Sequence, residues 1–254
     1  MIVPLRSLPP GPVFYPESDG KPMAENTRQA EWIVTIMGNL DLQFRDDPTV
    51  FVAMDNFIYA VEGDAAMSLA PDVYVAFGRP KGHRGSYKVW EEDDIFPQVV
   101  FEIFSPSNSA QEMIEKRDFC FNCGAEEFYV YNPENNTLEG DILTSRGVTS
   151  IQDWTQFVSP RLGIRFEQVG PDLHIYGANG RRFLTFIEIG QRAETEAKRA
   201  EREAKRAEKE ARRATREANR ADSEANRADD AEEQIARMRA NMLAAGLDPD
   251  AYGP

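Results

Sequence analysis

The chain has 254 residues, 41% apolar and 28% charged, proportions of an ordinary globular protein that exclude collagen-like, mucin-like and fully disordered classes. The formal charge of −14 is unevenly laid out: residues 1–190 carry 15 Lys and Arg against 28 Asp and Glu, whereas residues 191–254 carry 14 against 15. No apolar run reaches the roughly 18 residues of a membrane span, and the start lacks the continuous apolar stretch of a secretory signal, so a cytoplasmic protein is expected.

Residues 1–22 hold Pro4, Pro9, Pro10, Pro12, Pro16 and Pro22 and read as an irregular lead-in to a domain over 23–190. Ala24 to Phe44 reads as an amphipathic helix, with Trp32, Ile33, Ile36, Met37, Leu40 and Phe44 spaced by three and four and Glu25, Arg28 and Glu31 outside. A β-rich stretch follows: Thr49 to Gly63, Ala70 to Gly78 and Phe96 to Phe104. A short helix is predicted over Ala110 to Asn122, with Ser107, Asn108 or Ser109 as its N-cap and Gly124 as its stop. Glu126 to Pro133 is the next strand. Thr137 to Leu143 and Thr149 to Phe157 read as further strands, and the alternation in LGIRFEQV and LHIYG as an extension of the sheet or a hairpin flap. Arg181 to Gly190 leads into the tail.

Two acidic residues in this order are physically out of place. Glu102 sits in VVFEIF, a near-continuous apolar run of the kind buried on both faces, where an ionised carboxylate is costly without a partner. Asp72 opens another such strand directly after Pro71. If the strands are neighbours, the two carboxylates repel unless a divalent cation such as Mg²⁺ lies between them. The competing reading for Glu102 is a salt bridge with Lys116 or Arg117 on the following helix. Arg79, Lys81, His83, Arg84 and Lys88 form the one basic cluster of the acidic domain; they fit either phosphate contact or a solvated loop paired with the acids Glu91, Glu92, Asp93 and Asp94. Cys120 and Cys123 form a C-x-x-C, but with no second pair and with His83 and His174 isolated they read as ordinary half-buried thiols, not a zinc or redox site.

From Ala197 the sequence repeats every seven residues, AKRAERE, AKRAEKE, ARRATRE, ANRADSE, ANRADDA. Alanines step by four and three along one stripe, and acid–base pairs at three- and four-residue spacing, Glu201/Lys205 and Glu203/Arg206 among them, each add about 0.2–0.5 kcal/mol to a helix. Without Gly or Pro over 191–245, one helix over 191–246 is expected, ending at Gly246, with 247–254 a flexible tail. It reads either as a possible coiled coil, joining a homo-oligomer or a protein partner, or as a solvated spacer. Its balanced charge argues against nucleic-acid binding.

The segments PDV at Pro71–Val73, VVFEIFSPSN at Val99–Asn108, Lys116 on the next helix, and GAEEFYVYNP at Gly124–Pro133 together resemble the Uma-two restriction endonuclease family, built on the PD-(D/E)xK nuclease core. Ser18–Thr27 and Gly78–Glu92 also look like a branch of that family, so the resemblance covers about residues 15–190. It implies a restriction-endonuclease-like α+β or α/β fold, an αβββαβ core with a mixed central sheet, extra strands and a long C-terminal α-helix. It further implies Mg²⁺ or Mn²⁺ held by Asp72, Glu102 and the backbone carbonyl of Ile103, with Glu25 touching the ion through water. Position 104, where the motif would carry lysine, is Phe, so Lys116 inherits the task of orienting and activating the attacking water. The expected activity is a metal-dependent endonuclease hydrolysing DNA phosphodiester bonds. The alternative is a catalytically inactive interaction module of the same fold that assembles through its C-terminal helix.

Overall fold

The computed structural model describes residues 13–17 and 24–249. The prolines of the lead-in other than Pro16, most of the Ser18–Thr27 motif and residues 250–254 of the tail therefore lie outside the described residues. The chain divides into two compact units, Met1–Ile189 and Gly190–Pro254.

In the first unit, helix α1 (Thr27–Gln43) is followed by β1 (Val50–Ala53), β2 (Ile58–Tyr59), β3 (Ser68–Leu69), β4 (Val73–Phe77), β5 (Tyr87–Lys88), β6 (Val99–Ile103), α2 (Ala110–Cys123), β7 (Glu127–Asn132), β8 (Thr137–Thr144), β9 (Gly147–Ser150), β10 (Arg165–Val169) and β11 (Asp172–Tyr176). The main sheet has the order β1-β4-β6-β7-β8-β9. It is mixed: only β6 and β7 run parallel, and α2 makes the crossover that a parallel pair needs. A helix, three antiparallel strands, a helix and a parallel strand thus form the expected αβββαβ core. β3-β2-β5 make a small side sheet and β10-β11 a hairpin.

Local chemistry sets the boundaries. α1 begins three residues later than its apolar spacing suggests because the Asn26 side chain accepts the Gln29 N–H at 2.8 Å and caps it there. Ser109 caps α2 in the same way by accepting from the Glu112 N–H at 3.1 Å, and Gly124 ends it at φ 121°. The β-rich run Thr49 to Gly63 forms two strands, and Asp55 adopts a left-handed φ of 50° between them. The strand expected over Thr149 to Phe157 is confined to Gly147–Ser150. Beyond it, Ile151, Trp154 and Phe157 turn inward to pack on the core, which a ladder position would not allow.

The two-residue alternation of the strands sorts the core into two layers. Val73, Val75, Val99, Phe101 and Ile103 face α1 and the hairpin, packing with Ile33, Ile36 and Leu40. Tyr74, Ala76 and Val100 face the other way, onto Cys120, Ala125 and Phe128. By the same alternation Glu102 falls in the second layer, the side covered by α2.

The third helix, α3 (Phe186–Ala244), has no buried residue. It opens on a capping box in which the Glu188 N–H donates to Thr185 Oγ1 at 3.3 Å and the Thr185 N–H to Glu188 Oε2 at 2.8 Å. Four-residue pairs such as Lys205–Glu201 (2.6 Å) and Arg212–Glu208 (2.7 Å) form as expected. The three-residue pairs do not: Arg199 reaches forward to Glu203 at 2.9 Å and Arg220 to Glu224 at 3.0 Å, because residues four apart lie almost directly above one another.

Candidate active site

The β4–β6 register pairs Val73 with Phe101 and Val75 with Val99, and one step beyond the ladder it sets Asp72 opposite Glu102. Asp72 Oδ2 accepts the Ile103 backbone N–H at 2.6 Å, which ties the carboxylate to the edge of β6. From α2, Lys116 Nζ donates to Glu102 Oε2 at 2.7 Å. The phase of α2 dictates this contact: Met113, Lys116 and Cys120 follow at three and four, so the lysine lies on the stripe turned to the sheet. The structure therefore brings Asp72, Glu102 and Lys116 together in one open cleft of about 850 Å³, whose lining also includes Glu25, Gln29, Asp55 and Glu112, and the Ile103 N–H is bonded to the Asp72 carboxylate.

The electrostatics of the cleft are unbalanced. Glu102 is 2% exposed, and its Oε1 is buried with no hydrogen-bond donor among the described residues. Burial pushes its pKa up to about 8, with Lys116 pulling down and Asp72 pushing up. Burial likewise raises Asp72 to about 6 against the opposing pull of the Ile103 amide and Lys116. Burial would lower the Lys116 ammonium, but the Glu102 carboxylate beside it leaves its pKa raised.

A second buried glutamate serves as an internal control. Glu127 on β7 is also 2% exposed. It accepts from Ser159 Oγ at 2.5 Å, from Tyr129 Oη at 2.7 Å and from the Arg161 N–H at 2.6 Å. Three donors satisfy a structural carboxylate, whereas Glu102 has one donor and an oxygen left over. That difference sets Glu102 apart from a carboxylate whose donors are all in place.

Two carboxylates and a backbone carbonyl are hard oxygen donors, the set that suits Mg²⁺ or Mn²⁺ better than zinc. Among the described residues no group of three or more His, Cys, Asp and Glu side chains is close enough to hold an ion. Asp72 and Glu102 would therefore need the Ile103 carbonyl and water to complete a shell. In this structure that carbonyl accepts Gln29 Nε2 at 3.0 Å. Gln29, 6% exposed, was not singled out from sequence, although it lies one turn before Ile33 on the buried stripe of α1, where a polar side chain is unexpected. Glu25 joins the cleft wall by accepting from the hydroxyls of Ser105, at 2.9 Å, and Ser107.

The basic loop lies elsewhere and is held by acids. Arg79 pairs with Asp93 at 2.5 Å, Arg84 with Glu92 at 2.5 Å, Lys88 with Glu91 at 3.0 Å and Lys81 with Asp41 at 3.0 Å, while His83 is exposed. The Arg84 guanidinium also stacks 4.0 Å from the Phe51 ring centre. Cys120 is a buried free thiol whose pKa burial raises, and Cys123 is a half-buried one. No helix among the described residues is long and apolar enough to cross a membrane.

Residues 17–176 match the family Uma2, described as "Putative restriction endonuclease". A solved structure described as a putative nuclease belonging to DUF820 from Anabaena variabilis ATCC 29413 is similar at 13% identity and a TM-score of 0.41, over 54% of this chain and 74% of that one. No curated protein matches this chain.

Proposed function

Since the chain belongs to the Uma2 family, we propose that its cleft is a divalent-metal-dependent site for hydrolysing DNA phosphodiester bonds, acting in the cytoplasm. The observation that carries the reading is the convergence of Asp72, Glu102 and Lys116 around a buried carboxylate oxygen that has no donor among the described residues. A bound Mg²⁺ or Mn²⁺ would supply a water of lowered pKa and charge to offset that of the phosphate. Asp72, Glu102 and the Ile103 carbonyl would hold it. The Ile103 amide fixes the direction of Asp72, so that carboxylate needs no reorganisation on binding. Lys116 Nζ, already inside the cleft, would release Glu102 Oε2 and turn its protons toward the attacking water and a phosphate oxygen, where a cation favours hydroxide and stabilises the charge that builds up. Gln29 would give up the Ile103 carbonyl and keep a donor available beside it. Glu25, fixed by Ser105 and Ser107, would accept a hydrogen bond from a water of the ion. Phosphate contact by the loop of Arg79 to Lys88 would have to compete with Glu91, Glu92 and Asp93.

Plasmid DNA incubated with the protein and Mn²⁺ or Mg²⁺ should be nicked or linearised, with no cleavage in EDTA. Each ion should also raise the melting temperature of the protein, since a ligand at a hundredfold excess over its Kd stabilises by about 2.7 kcal/mol. A protein that gains no stability from either ion and cuts nothing is the inert module, not the nuclease.

A further inference from the structure

The net charge of the C-terminal unit conceals two segregations, one along the helix and one around it. Residues 191–220 carry eleven Lys and Arg against seven Glu, and residues 221–254 carry three against eight acids. Around the helix, the alanine stripe is flanked on both sides by acids, Glu201 and Glu203 in one repeat and Glu208 and Glu210 in the next. The opposite side is basic. Arg202, Arg206, Lys209, Arg213 and Arg216 step by four and three and form a straight line about 21 Å long at 1.5 Å per residue.

None of these five makes an ion pair among the described residues, although Arg199 before them and Arg220 after them do. For Arg202, Lys209 and Arg216 the reason lies in their neighbours: every residue three or four positions away is Lys, Arg or Asn, as with Lys198, Arg199, Lys205 and Arg206 around Arg202, whereas Arg206 and Arg213 leave Glu203, Glu210 and Glu217 at these spacings unused. Like charges at these spacings destabilise a helix by about as much as opposite charges stabilise it. A solvated spacer gains nothing from such a line and would place acids in it; a surface that receives a row of anionic groups requires it. All five side chains are exposed, and successive members are about 5 Å apart along the axis, a spacing long flexible side chains adapt to successive phosphates. Two copies of the helix packing on their alanine stripes would instead set acid against acid in either direction.

We propose that this basic line on α3 binds the phosphate backbone of nucleic acid and supplies the affinity that the acidic first unit lacks. The inference rests on the nucleic-acid reading of the cleft and extends it to how the substrate is retained. Balance of total charge does not argue against it, because a phosphate chain meets one face and not the sum.

The test measures binding of the full chain to a fluorescein-labelled 20-base-pair duplex by anisotropy, in EDTA so that cleavage plays no part. Wild type should bind with a log Kd against log salt dependence near five phosphates' worth, a slope of about 4–5. The key variant exchanges neighbours without changing composition: Arg202→Glu with Glu203→Arg, Lys209→Glu with Glu210→Lys, and Arg216→Glu with Glu217→Arg. It keeps the net charge, breaks the line and creates favourable four-residue pairs, so the helix stays formed. Binding should weaken at least tenfold at 50 mM salt and the slope should fall by half or more. A second variant, with all five residues changed to Gln, should do the same. Equal binding by wild type and the exchanged variant overturns the proposal while leaving the cleft reading intact, as does plasmid cleavage by a wild type that shows no salt-dependent duplex binding. Loss of a wild-type dimer in sedimentation of the exchanged variant, without any effect on DNA, also overturns it and assigns the line to a second copy. Duplex binding by a protein that cleaves nothing with Mn²⁺ sustains the line and removes the nuclease.

Discussion

Lys116→Met should abolish most DNA cleavage, by a factor of about 10²–10⁴, the range for loss of one positioned acid–base or charge-stabilising group, while the protein continues to bind Mn²⁺. The substitution keeps the aliphatic stem that packs along α2 and removes only the ammonium that donates to Glu102 at 2.7 Å. Without that ammonium the buried Glu102 carboxylate loses its hydrogen-bond donor and its counter-charge, so its pKa, already raised to about 8, rises further and the proton is held to a higher pH. Metal must then displace the proton. The Mn²⁺-induced rise in melting temperature should therefore persist but need a higher pH than in wild type, and thermal shifts at pH 7 and pH 9 beside plasmid cleavage would show it. Cleavage at the wild-type rate would remove Lys116 from the chemistry and leave the water to another group.

Asp72→Asn and Glu102→Gln should each eliminate both cleavage and the metal-induced stabilisation, and without metal each should make the protein more stable at alkaline pH. The sign follows from the direction of the shifts. Burial raises Asp72 from 3.8 to about 6 and Glu102 from 4.5 to about 8, so the fold favours their protonated forms. That contribution is fully present below the ordinary carboxylate values and is lost as pH rises through the folded ones. Metal-free wild type should thus lose stability between about pH 4 and pH 8, by an amount of the order of 3 kcal/mol from Asp72 alone, at about 1.4 kcal/mol per pKa unit. Both replacement amides are uncharged over that range and keep the shape of the acids, and in Asp72→Asn the side-chain carbonyl can still accept the Ile103 N–H. Urea unfolding at pH 5 and pH 8 separates the outcomes: variants that follow the wild-type slope, or that fall below wild type at pH 8, would mean that the two carboxylates are not mutually strained.

Most of the frame and part of the cleft were legible in the sequence. Glu102 showed itself by interrupting an apolar run, and Asp72 by opening the neighbouring one. The salt bridge of Glu102 with Lys116, formed at 2.7 Å, is one of the two that the residues alone suggest, and only a role of Lys116 on the attacking water needs the family resemblance. A physical signal was nevertheless present: Lys116 falls in the phase of Met113 and Cys120, as Gln29 falls in the phase of Ile33 and Ile36, and a polar residue on the buried stripe of a helix marks an inward-facing group. Glu127 shows the limit of that signal. It too is an acid in an apolar strand, and only its three donors separate it from Glu102. Asp55 enters the cleft through a left-handed turn between the two strands of the β-rich run, a tertiary outcome that strand propensity does not reveal. The ion pairs of the tail could be enumerated in two ways from the repeat, and helix geometry chose the four-residue set.

The hydrogen bond from the Ile103 amide to Asp72 gives the site its own spectroscopic reporter. At 2.6 Å, donation to a carboxylate draws the amide proton's electron density away, which places its resonance downfield of the other strand amides. Protonation of Asp72 neutralises the acceptor and should move that resonance back upfield with a midpoint near pH 6. A cation on the same carboxylate competes with the amide for its charge and should move it in the same direction at constant pH. One backbone signal, needing no added label, therefore titrates with the proton and the metal separately, and would follow the occupancy of the cleft while no DNA is present at all.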